Sequence, residues 1–492
     1  MEILYGILIL LGVFIVITLI RAAFYTPKKL KAEPLPPEKV DVKRYEDNLS
    51  AAIRIPTISN SDPELVDWTQ FTKFHEFLEN AYPLIHKNLK KEVVGRASLV
   101  FYWKGKNPSL DPIAMLAHQD VVPVSEGTEG DWVHPAFDGV NDGEFIWGRG
   151  ALDIKNHLIG VMESVETLLS EGFEPERDVY LCFGHDEEVM SDDSDDSGAK
   201  NIVALLKSRG IHLESVIDEG GAILPVNVKH IMENKSLAGI GVAEKGYADF
   251  EISVSAKGGH SSQPPKHSAL GKLSEVVLKL ENNQFKSKLT PMMFKLFSAI
   301  GRNTTYLGRV VMCNLWLLRP IVLAVLKSIP PSASMVRTTT AVTMANGSPA
   351  PNVLPQNASV VVNFRIMPDM CIKDVEEHIK KVCGKNVSVK LLRGKEPSVI
   401  SPTDSLTFGV IDRVCRSMNP ETIVAPYLVM GGTDACRYQP VTECMYRYSP
   451  FMVSMELLLT THGTNERIPV STLEDGVAFF KRYIKLLAGE QK

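Results

Sequence analysis

The sequence predicts an α/β protein with a mostly parallel central sheet and an inserted α+β lid domain. Stretches with helical periodicity, such as residues 68–82, alternate with short apolar runs such as residues 112–117 and 179–183. This alternation is typical of helices that cover a parallel sheet. Near Gly246 apolar and polar residues begin to alternate, as in a half-exposed antiparallel strand, and the first pattern returns after Ser401.

The chain is long enough for more than one hydrophobic core. It has 492 residues, of which 45% are hydrophobic and 23% charged, a globular composition. The net charge of -5, without a basic arm or a Lys/Arg stripe, excludes a nucleic-acid-binding protein. We predict five segments: an apolar segment at 1–22, a stalk at 23–41, the main domain at 42–244 and 398–492, and the lid at 245–397.

The first segment is apolar. Residues 3–20 carry no charge and are followed by Arg21. That length is near the lower limit for a membrane-spanning helix, and no clear small-x-small cleavage site follows it. We predict a signal anchor that places the chain in a membrane, with a cleaved signal peptide as the alternative. The prolines and lysines of residues 23–41 predict a stiff, solvated stalk.

Two features predict opposite orientations for this anchor. Arg21 and the lysines after it would leave the large domains in the cytoplasm by the positive-inside rule. Six N-x-Ser/Thr sequons instead favour a glycosylated domain that is lumenal, extracellular or secreted. The sequons begin at Asn48, Asn234, Asn303, Asn346, Asn357 and Asn386.

A second apolar run covers residues 310–326. Arg319 and Pro320 interrupt it, and it is too short to cross a membrane. We expect either a buried helix of the lid core or the wall of a groove that accommodates an acyl chain.

The seven cysteines are scattered and contain no C-x-x-C pair, so most are predicted to be buried thiols. In an exported protein, Cys371 could pair with Cys383, or Cys436 with Cys444.

The first run with chemical content is 114–123, an apolar strand that ends in His118 and Asp120. Positions i and i+2 of an extended chain face the same way. Asp120 can therefore accept a hydrogen bond from the imidazole nitrogen that faces away from a metal, which orients the ring. A structural histidine at a strand end is the alternative.

The next two runs supply carboxylates. Asp153 follows a glycine-bounded turn at 147–150, and alone it would be an ordinary helix N-cap. The apolar run 179–183 opens onto His185, Asp186, Glu187 and Glu188. So many ionisable groups repel one another unless a cation compensates, so a divalent metal is the economical explanation. One glutamate would bind the metal and its neighbour would accept a proton from water.

Two later runs complete the set. An apolar strand ends at Asp218 and Glu219 before two glycines, and His462 lies in the run 461–466. Each run alone has an ordinary reading as a turn. Together they provide two histidines and three carboxylates, a donor set that suits two zinc ions sharing one bridging carboxylate.

In their order and spacing, the runs HxDVVP, GRGxxDxK, DEE, DEGG and HGxNE resemble the aminoacylase and carboxypeptidase S superfamily of two-zinc hydrolases. The resemblance covers nearly everything after the stalk. It implies the fold above, two Zn²⁺ ions and hydrolysis of amide bonds. It implies that His118 and Glu219 bind one zinc, that Glu188 and His462 bind the other, and that Asp153 bridges them.

The resemblance also implies other roles. Asp120 would steer His118, Glu187 would be the general base, and Asp218 is the alternative ligand to Glu219. His260 in the lid would stabilise the oxyanion, often across the interface of a homodimer formed through the lid. Asn352 and Arg365 would help to hold the substrate carboxylate, and Arg437, which follows a position where one branch of the superfamily has arginine, is a further candidate for substrate binding. His260 as a turn residue and Arg365 as the partner of a structural acid are the alternatives.

Further stretches resemble the branch of N-fatty-acyl-amino acid synthase/hydrolases, among them Gly259-His260-Ser261-Ser262 and Tyr446-Arg447-Tyr448. They imply hydrolysis and formation of N-acyl amino acids with long acyl chains, with a carboxypeptidase or dipeptidase acting on short peptides as the alternative. An inactive, membrane-tethered binding protein is disfavoured because no ligand or base is missing. Two departures are an acidic loop at 191–197 and Cys436 at a position where the branch has arginine.

Overall fold

The computed structural model describes residues 2–27, 34–189 and 197–490. Helix α1 (Glu2–Phe24) contains the apolar N-terminal segment. Within the described residues it is the single unbroken helix that is long and apolar enough to cross a membrane, from Ile3 to Phe24. Residues 34–41 of the predicted stalk contain neither helix nor strand, and Lys28, Lys29 and Lys31 lie outside the described residues.

Helices and strands alternate in the first large part of the chain. They are α2 (Val42–Ile53), α3 (Trp68–Ala81), α4 (Pro83–Asn88), β1 (Lys90–Val94), β2 (Ser98–Trp103), β3 (Ile113–His118), β4 (Val140–Asn141), β5 (Phe145–Trp147), α5 (Lys155–Ser170), β6 (Val179–Gly184), α6 (Gly198–Ser208), β7 (Ser215–Asp218), β8 (Ile223–Val228) and β9 (Met232–Glu244).

The middle of the chain contains a second set of elements. They are β10 (Gly246–Ser255), β11 (Gly259–His260), α7 (Ala269–Asn282), α8 (Pro291–Arg302), α9 (Tyr306–Met312), α10 (Leu315–Ser328), α11 (Pro330–Met335), β12 (Thr339–Asn346), β13 (Val353–Leu354), β14 (Asn357–Ile366), α12 (Ile372–Cys383) and β15 (Ser388–Lys395). The last part contains α13 (Leu406–Met418), β16 (Thr422–Val429), β17 (Met445–Arg447), α14 (Met455–Leu458), β18 (Arg467–Pro469) and α15 (Leu473–Ala488).

The central sheet has the strand order β1-β2-β6-β3-β7-β17-β9-β16, with β8 paired to β9. Its centre is parallel, since β6, β3, β7 and β17 run in the same direction, whereas β2 and β9 are antiparallel to their neighbours in that block. Alternate residues of β3 enter different cores. Ile113 and Met115 pack with α5 and α15, while Ala114 and Leu116 pack with α6. Because both faces are covered, the strand is continuously apolar.

A smaller antiparallel sheet has the order β12-β14-β10-β15. Helices α7 and α12 cover one face of it, and the core between them includes Phe250, Val362, Leu273 and Ile379. This sheet and the mixed central sheet confirm the predicted α/β class. Two small ribbons complete the strands: β11 with β13, and β5 with β4 and β18.

Residues 291–335 do not join the core of the smaller sheet. Helix α8 packs on β16 of the central sheet, where Met293 and Leu296 contact Ala425. Helices α9 and α10 meet at an angle of 100°. Only Leu315 of α10 is buried. The prediction of a buried helix over residues 310–326 is therefore wrong, because apolar composition alone does not tell a core helix from an exposed one.

The seven cysteines are free thiols. Cys371 and Cys383 lie at opposite ends of α12, a rise of about 17 Å that no disulfide can bridge.

Candidate two-metal active site

The predicted ligands come together because three parallel strands end at the same edge of the central sheet. His118 is the last residue of β3, Glu187 and Glu188 follow β6 in a short 3₁₀ turn, and Glu219 follows β7. In parallel sheets, polar residues beyond the carboxyl ends of neighbouring strands converge on one crevice. Sequence separations of tens of residues thus become distances of a few ångströms.

The first candidate ligand group contains His118, Asp153 and Glu219. Nε2 of His118 lies 3.2 Å from Oδ1 of Asp153 and 3.3 Å from Oε1 of Glu219. Its Nδ1 lies 2.9 Å from the backbone carbonyl of Asp120 and 3.4 Å from the Asp120 carboxylate. One ring nitrogen is thus held by Asp120 while the other faces the two carboxylates, an arrangement typical of metal-binding histidines.

The second candidate ligand group contains Asp153, Glu188 and His462. Nε2 of His462 lies 2.9 Å from Oδ2 of Asp153 and 3.0 Å from Oε2 of Glu188. Asp153 therefore offers one carboxylate oxygen to each group. A bridging carboxylate between two cations needs this division of oxygens.

Asp153 reaches this position through a buried carboxylate on a distant part of the chain. Oε1 of Glu466 accepts hydrogen bonds from the backbone N–H groups of Gly150, Leu152 and Asp153 at 3.0, 2.8 and 3.1 Å. Its Oε2 accepts one from Arg149 at 2.7 Å. The side chain of Asp153 caps no amide of α5. The turn before α5 is thus fixed by Glu466, and the Asp153 carboxylate points into the site.

Asp120 contacts one residue of each ligand group, His118 in the first and Glu188 in the second. Its Oδ2 accepts hydrogen bonds from the Ser59 hydroxyl at 2.7 Å and from the Glu188 N–H at 3.1 Å. Its Oδ1 accepts one from the Glu187 N–H at 3.2 Å. Burial alone would raise the pKa of Asp120, but His118 and these donors hold it below its usual range. Asp120 is therefore an ionised anchor for both His118 and the glutamate turn.

The carboxylates repel one another strongly. Burial and the charge of Glu219 raise the pKa of Glu187 well above its ordinary value. Burial and the charge of Asp153 raise the pKa values of Glu219 and Glu188. Hydrogen bonds to Asp153 and Glu188 raise the pKa of His462 to about 10. Bound cations would relieve this repulsion, because they stabilise the ionised carboxylates.

The donor set fits zinc. Imidazole nitrogens and carboxylate oxygens are zinc ligands, and three protein ligands per ion leave a position open for water or substrate. Glu188 gives an independent indication, since its Oε1 is buried without a hydrogen-bond partner. A cation at this edge of the sheet would satisfy that oxygen.

Glu219 and Asp218 point in different directions. Asp218 accepts hydrogen bonds from the N–H groups of Glu219 and Ala435 at 2.9 and 2.7 Å. It contributes to neither ligand group, whereas Glu219 does. The geometry favours Glu219 as the ligand.

The two lid residues His260 and Asn352 lie elsewhere. Both line a cavity of about 620 Å³ beside the β11–β13 ribbon, and both are exposed. Nδ1 of His260 lies 2.8 Å from the Ser262 hydroxyl. Across the part of the chain that the structure describes, no hydrogen bond or ion pair connects either residue to the ligand groups. The structure therefore does not bring them to the carboxylates.

The two predicted arginines differ in position. Arg365 lies in β14, and its guanidinium stacks 4.8 Å from the centre of the Tyr247 ring. Arg437 lies in a short turn after β16, where Asp186 and Glu187 oppose the effect of burial, which lowers its pKa. Arg437 is thus at the carboxylate edge, and Arg365 is on the smaller sheet.

Sequence reasoning did not assign a role to several neighbours of the site. The Asp434 carboxylate lies so close to Gly184 that any side chain at position 184 would collide with it. Burial raises the pKa of Asp434 well above its ordinary value. Glu244 accepts a hydrogen bond from Nε of the buried Arg447 at 2.7 Å and lies 3.6 Å from Nζ of Lys395. Arg447 stands in the run Tyr446-Arg447-Tyr448, whereas nothing local in the sequence distinguishes Lys395.

The acidic loop at residues 191–197 lies almost entirely outside the described residues. Residues 190–196 lie outside the described part of the chain, and the description resumes at Ser197.

Residues 114–486, well over half of the chain, match the profile of peptidase family M20/M25/M40. The chain belongs to this family. M20 metallohydrolases are two-zinc enzymes, so the predictions of an amide-bond hydrolase and of two Zn²⁺ ions are confirmed.

Relatives of this chain are named either as carboxypeptidases or as N-fatty-acyl-amino acid synthase/hydrolases. Probable carboxypeptidase S-like 2 of Dictyostelium discoideum is 36% identical, covering 97% of this chain and 92% of that protein. N-fatty-acyl-amino acid synthase/hydrolase of Mus musculus is 36% identical, covering 94% and 90%. The predicted resemblance to that branch is confirmed.

A solved M20 structure has the same fold. The metallo-carboxypeptidase of this family from Sulfolobus solfataricus superposes with a TM-score of 0.64 over 90% of this chain and 98% of that one. At 17% identity the likeness is one of fold.

Proposed function

We propose that this M20 enzyme hydrolyses N-acyl amino acids with long fatty acyl chains and, in reverse, forms them. The observation that carries the amide-hydrolase chemistry is Asp153, whose two oxygens serve two ligand groups at one sheet edge. The acyl-amino acid substrate is supported by the murine relative, whose name states that activity.

In the proposed reaction, Glu187 accepts a proton from the attacking water as a C–O bond forms at the amide carbonyl. The C–N bond then breaks, and Glu187 passes that proton to the leaving nitrogen. The products are a fatty acid and a free amino acid. Zinc, when bound, supplies positive charge that polarises the carbonyl and favours ionisation of the water.

We assign the ligands as predicted: His118 and Glu219 to one zinc, Glu188 and His462 to the other, with Asp153 shared. Asp120 positions His118, as its contact with Nδ1 supports. Arg437, close to Glu187, is the best-placed of the predicted contacts to the substrate carboxylate. Asn352 and Arg365 would join it if the smaller sheet approached the site.

We further propose that the chain forms a homodimer through the lid, residues 245–397, and that His260 acts on the oxyanion in a neighbouring subunit. Two observations support this. His260 is exposed and joined to no ligand residue of its own chain. The outer strands β12 and β15 present free edges with exposed apolar side chains such as Met344 and Leu391, and such edges readily pair with another chain.

A carboxypeptidase acting on short peptides is the second candidate. The Dictyostelium relative, whose name is probable carboxypeptidase S-like 2, favours it. Both candidates use the same zinc groups and the same base, so they differ only in what lies on the two sides of the scissile bond.

The proposal is tested with the purified full chain and a panel of N-oleoyl amino acids and dipeptides, with and without a chelator. We expect release of free amino acid from the N-oleoyl compounds, loss of activity with chelator, and recovery with Zn²⁺. Turnover restricted to dipeptides would support the carboxypeptidase instead. Zinc bound without turnover of either class would indicate a binding protein.

We also propose that α1 is a signal anchor and that the folded part is lumenal or extracellular and glycosylated. Four sequon asparagines, Asn234, Asn346, Asn357 and Asn386, are exposed. Asn48 is half-buried, and its amide donates to Glu163 at 2.8 Å. We expect endoglycosidase to shift the electrophoretic mobility of the chain, and replacement of the four exposed asparagines by Gln to abolish the shift while Asn48→Gln does not.

A further inference from the structure

Helices α9 and α10 present an apolar surface to the outside of the molecule. Leu307, Trp316, Ile321 and Val325 are all more than half exposed, with exposed fractions between 55% and 77%. Large apolar patches on a folded protein usually mark a place where a partner or a membrane binds. The two zinc ligand groups do not use this surface.

This surface is continuous with the N-terminal helix. The rings of Phe14 and Trp316 meet edge to face at 5.7 Å. The Tyr306 hydroxyl donates to the Leu19 carbonyl at 2.9 Å, and the Arg21 guanidinium to the Cys313 carbonyl at 3.3 Å. The corner between α9 and α10 therefore packs on the second half of α1.

These contacts define a depth. Helix α1 has 23 residues, about 34 Å, which matches a hydrocarbon core of about 30 Å. Phe14 lies about 15 Å from the end of α1 at Phe24, which is half of such a core. If α1 crosses a bilayer, the α9–α10 corner lies within the leaflet next to the folded part of the protein.

The charged residues in and around α9 and α10 are all basic. Residues 286–337 contain eight Lys or Arg and no Asp or Glu, although the whole chain has a net charge of -5. Arg319 and Lys327, both on α10, are exposed. An exposed apolar surface accompanied by basic side chains is the composition of segments that lie in the interface of an anionic membrane.

Neither helix alone is long enough for a second membrane crossing. Helix α9 has 7 residues and α10 has 14, and they meet at 100°. Each is shorter than the 17 residues or so that a spanning helix needs. A symmetric pairing of this surface with its own copy would bring the exposed Arg319 and Lys327 of one copy near those of the other, which electrostatics disfavours.

We propose that α9 and α10 lie in the leaflet of a lipid bilayer next to the folded part, beside the second half of α1, as a second membrane contact of the folded part. Trp316, Ile321 and Val325 enter the acyl-chain region, while Arg319 and Lys327 extend to the headgroups. This inference is independent of the proposed activity and concerns where the enzyme is held, not what it hydrolyses.

The test uses the full chain reconstituted in phosphatidylcholine vesicles, with or without phosphatidylserine, whose acyl chains are brominated. Bromine quenches tryptophan fluorescence at short range, and the chain has five tryptophans. We expect Trp316→Phe to remove most of the bromine-dependent quenching. The matched control Trp147→Phe, in β5 of the central part, should leave it unchanged. Quenching that survives Trp316→Phe in full would overturn the proposal.

A second pair of variants tests the surface rather than the probe. Ile321→Glu with Val325→Glu should abolish the quenching of Trp316, while α1 keeps the chain on the vesicles in a flotation assay. Leu65→Glu, at an exposed apolar position far along the chain, should have no effect. Since these positions are exposed, the substitutions do not disturb a core.

Two other outcomes would contradict the proposal. A dimer in detergent that the double variant dissociates, with Trp316 unquenched in vesicles, would show that the surface binds a second copy. Quenching of Trp316 by a brominated N-acyl amino acid but not by brominated lipid would show that the surface binds substrate.

Stronger quenching with phosphatidylserine than without it is the expected result for a basic membrane surface.

Discussion

The two regions predicted to act on substrate are built in opposite ways. At the edge of the central sheet, His118 is buried and both of its ring nitrogens have partners. Asp153 is held by the Glu466 clamp, our name for the hydrogen bonds between the Glu466 carboxylate and the Gly150–Asp153 turn. In the cavity beside the β11–β13 ribbon, the His260 side chain is exposed and, among the described residues, is hydrogen-bonded only to Ser262 of its own turn. The difference indicates that one chain preorganises the zinc ligands, whereas the contacts from the lid need a second copy or a movement.

The largest effect is expected from the shared ligand. Asp153→Ala removes one donor from both groups, so we expect loss of bound zinc and of all measurable activity, whereas Glu456→Gln on the surface changes neither. Metal analysis of the purified variants and the release assay check this. Two zinc ions per chain in the Asp153 variant would contradict the shared-ligand geometry.

Glu187→Gln tests the base without removing a ligand. We expect kcat to fall about 10³-fold, as for loss of a general acid–base group, while the zinc content stays at two per chain. A kcat within a few-fold of the wild type would show that another group moves the proton.

His260→Ala tests the second region. We expect kcat to fall about 10²-fold with zinc content unchanged, the size typical of a lost oxyanion donor. Mixing the His260→Ala and Glu187→Gln chains and allowing them to exchange should restore part of the activity if His260 acts across an interface. Absence of restoration, with heterodimers present, would place His260 and Glu187 of the same chain in one site.

The smallest effect concerns the connection between the two sheets. Lys245 lies between β9 and β10, is buried, and donates to the Ser334 and Arg337 carbonyls at 2.8 Å each. Burial, aided by neighbouring arginines, lowers its pKa to about 7 from 10.5. Above pH 7 the folded state loses this proton before the unfolded state does, so the free energy of unfolding rises with pH towards 10, by at most about 1.4 kcal/mol per pH unit.

Replacing Lys245 by Met should remove that rise. Denaturant unfolding of both proteins at pH 7 and pH 9, in the same detergent, measures it. An equal pH dependence in the two proteins would show that Lys245 is charged in the folded state at both pH values.

The ligand positions could be predicted because they depend on local sequence. An apolar run that ends in His118, and another that ends before Glu187, are visible in the sequence, and parallel strands bring such ends together. The contact between Glu466 and the Gly150–Asp153 turn could not be predicted. Glu466 stands in a quoted run, but nothing nearby shows that its carboxylate binds the Gly150–Asp153 turn. Lys395 has no local signal, since its position follows from the pairing of distant strands.

The fold shows the same division. The helix over residues 68–81 and the strand over residues 179–184 follow directly from their patterns. The exposure of α10 does not, because an apolar run has the same composition in a protein core and at a lipid surface. The charge of the flanking residues was the informative signal, and it required a count over some fifty residues rather than a local motif.

The clamp has a consequence for biosynthesis. Glu466 and Asp153 are 313 residues apart, so the ribosome completes nearly the whole main domain before the bridging carboxylate can be oriented. Until then the nascent protein holds its histidines and acids without a shared centre. Polypeptides that terminate before Glu466 would therefore lack the hydrogen bonds that orient Asp153, and those that terminate before His462 would lack that side chain as well.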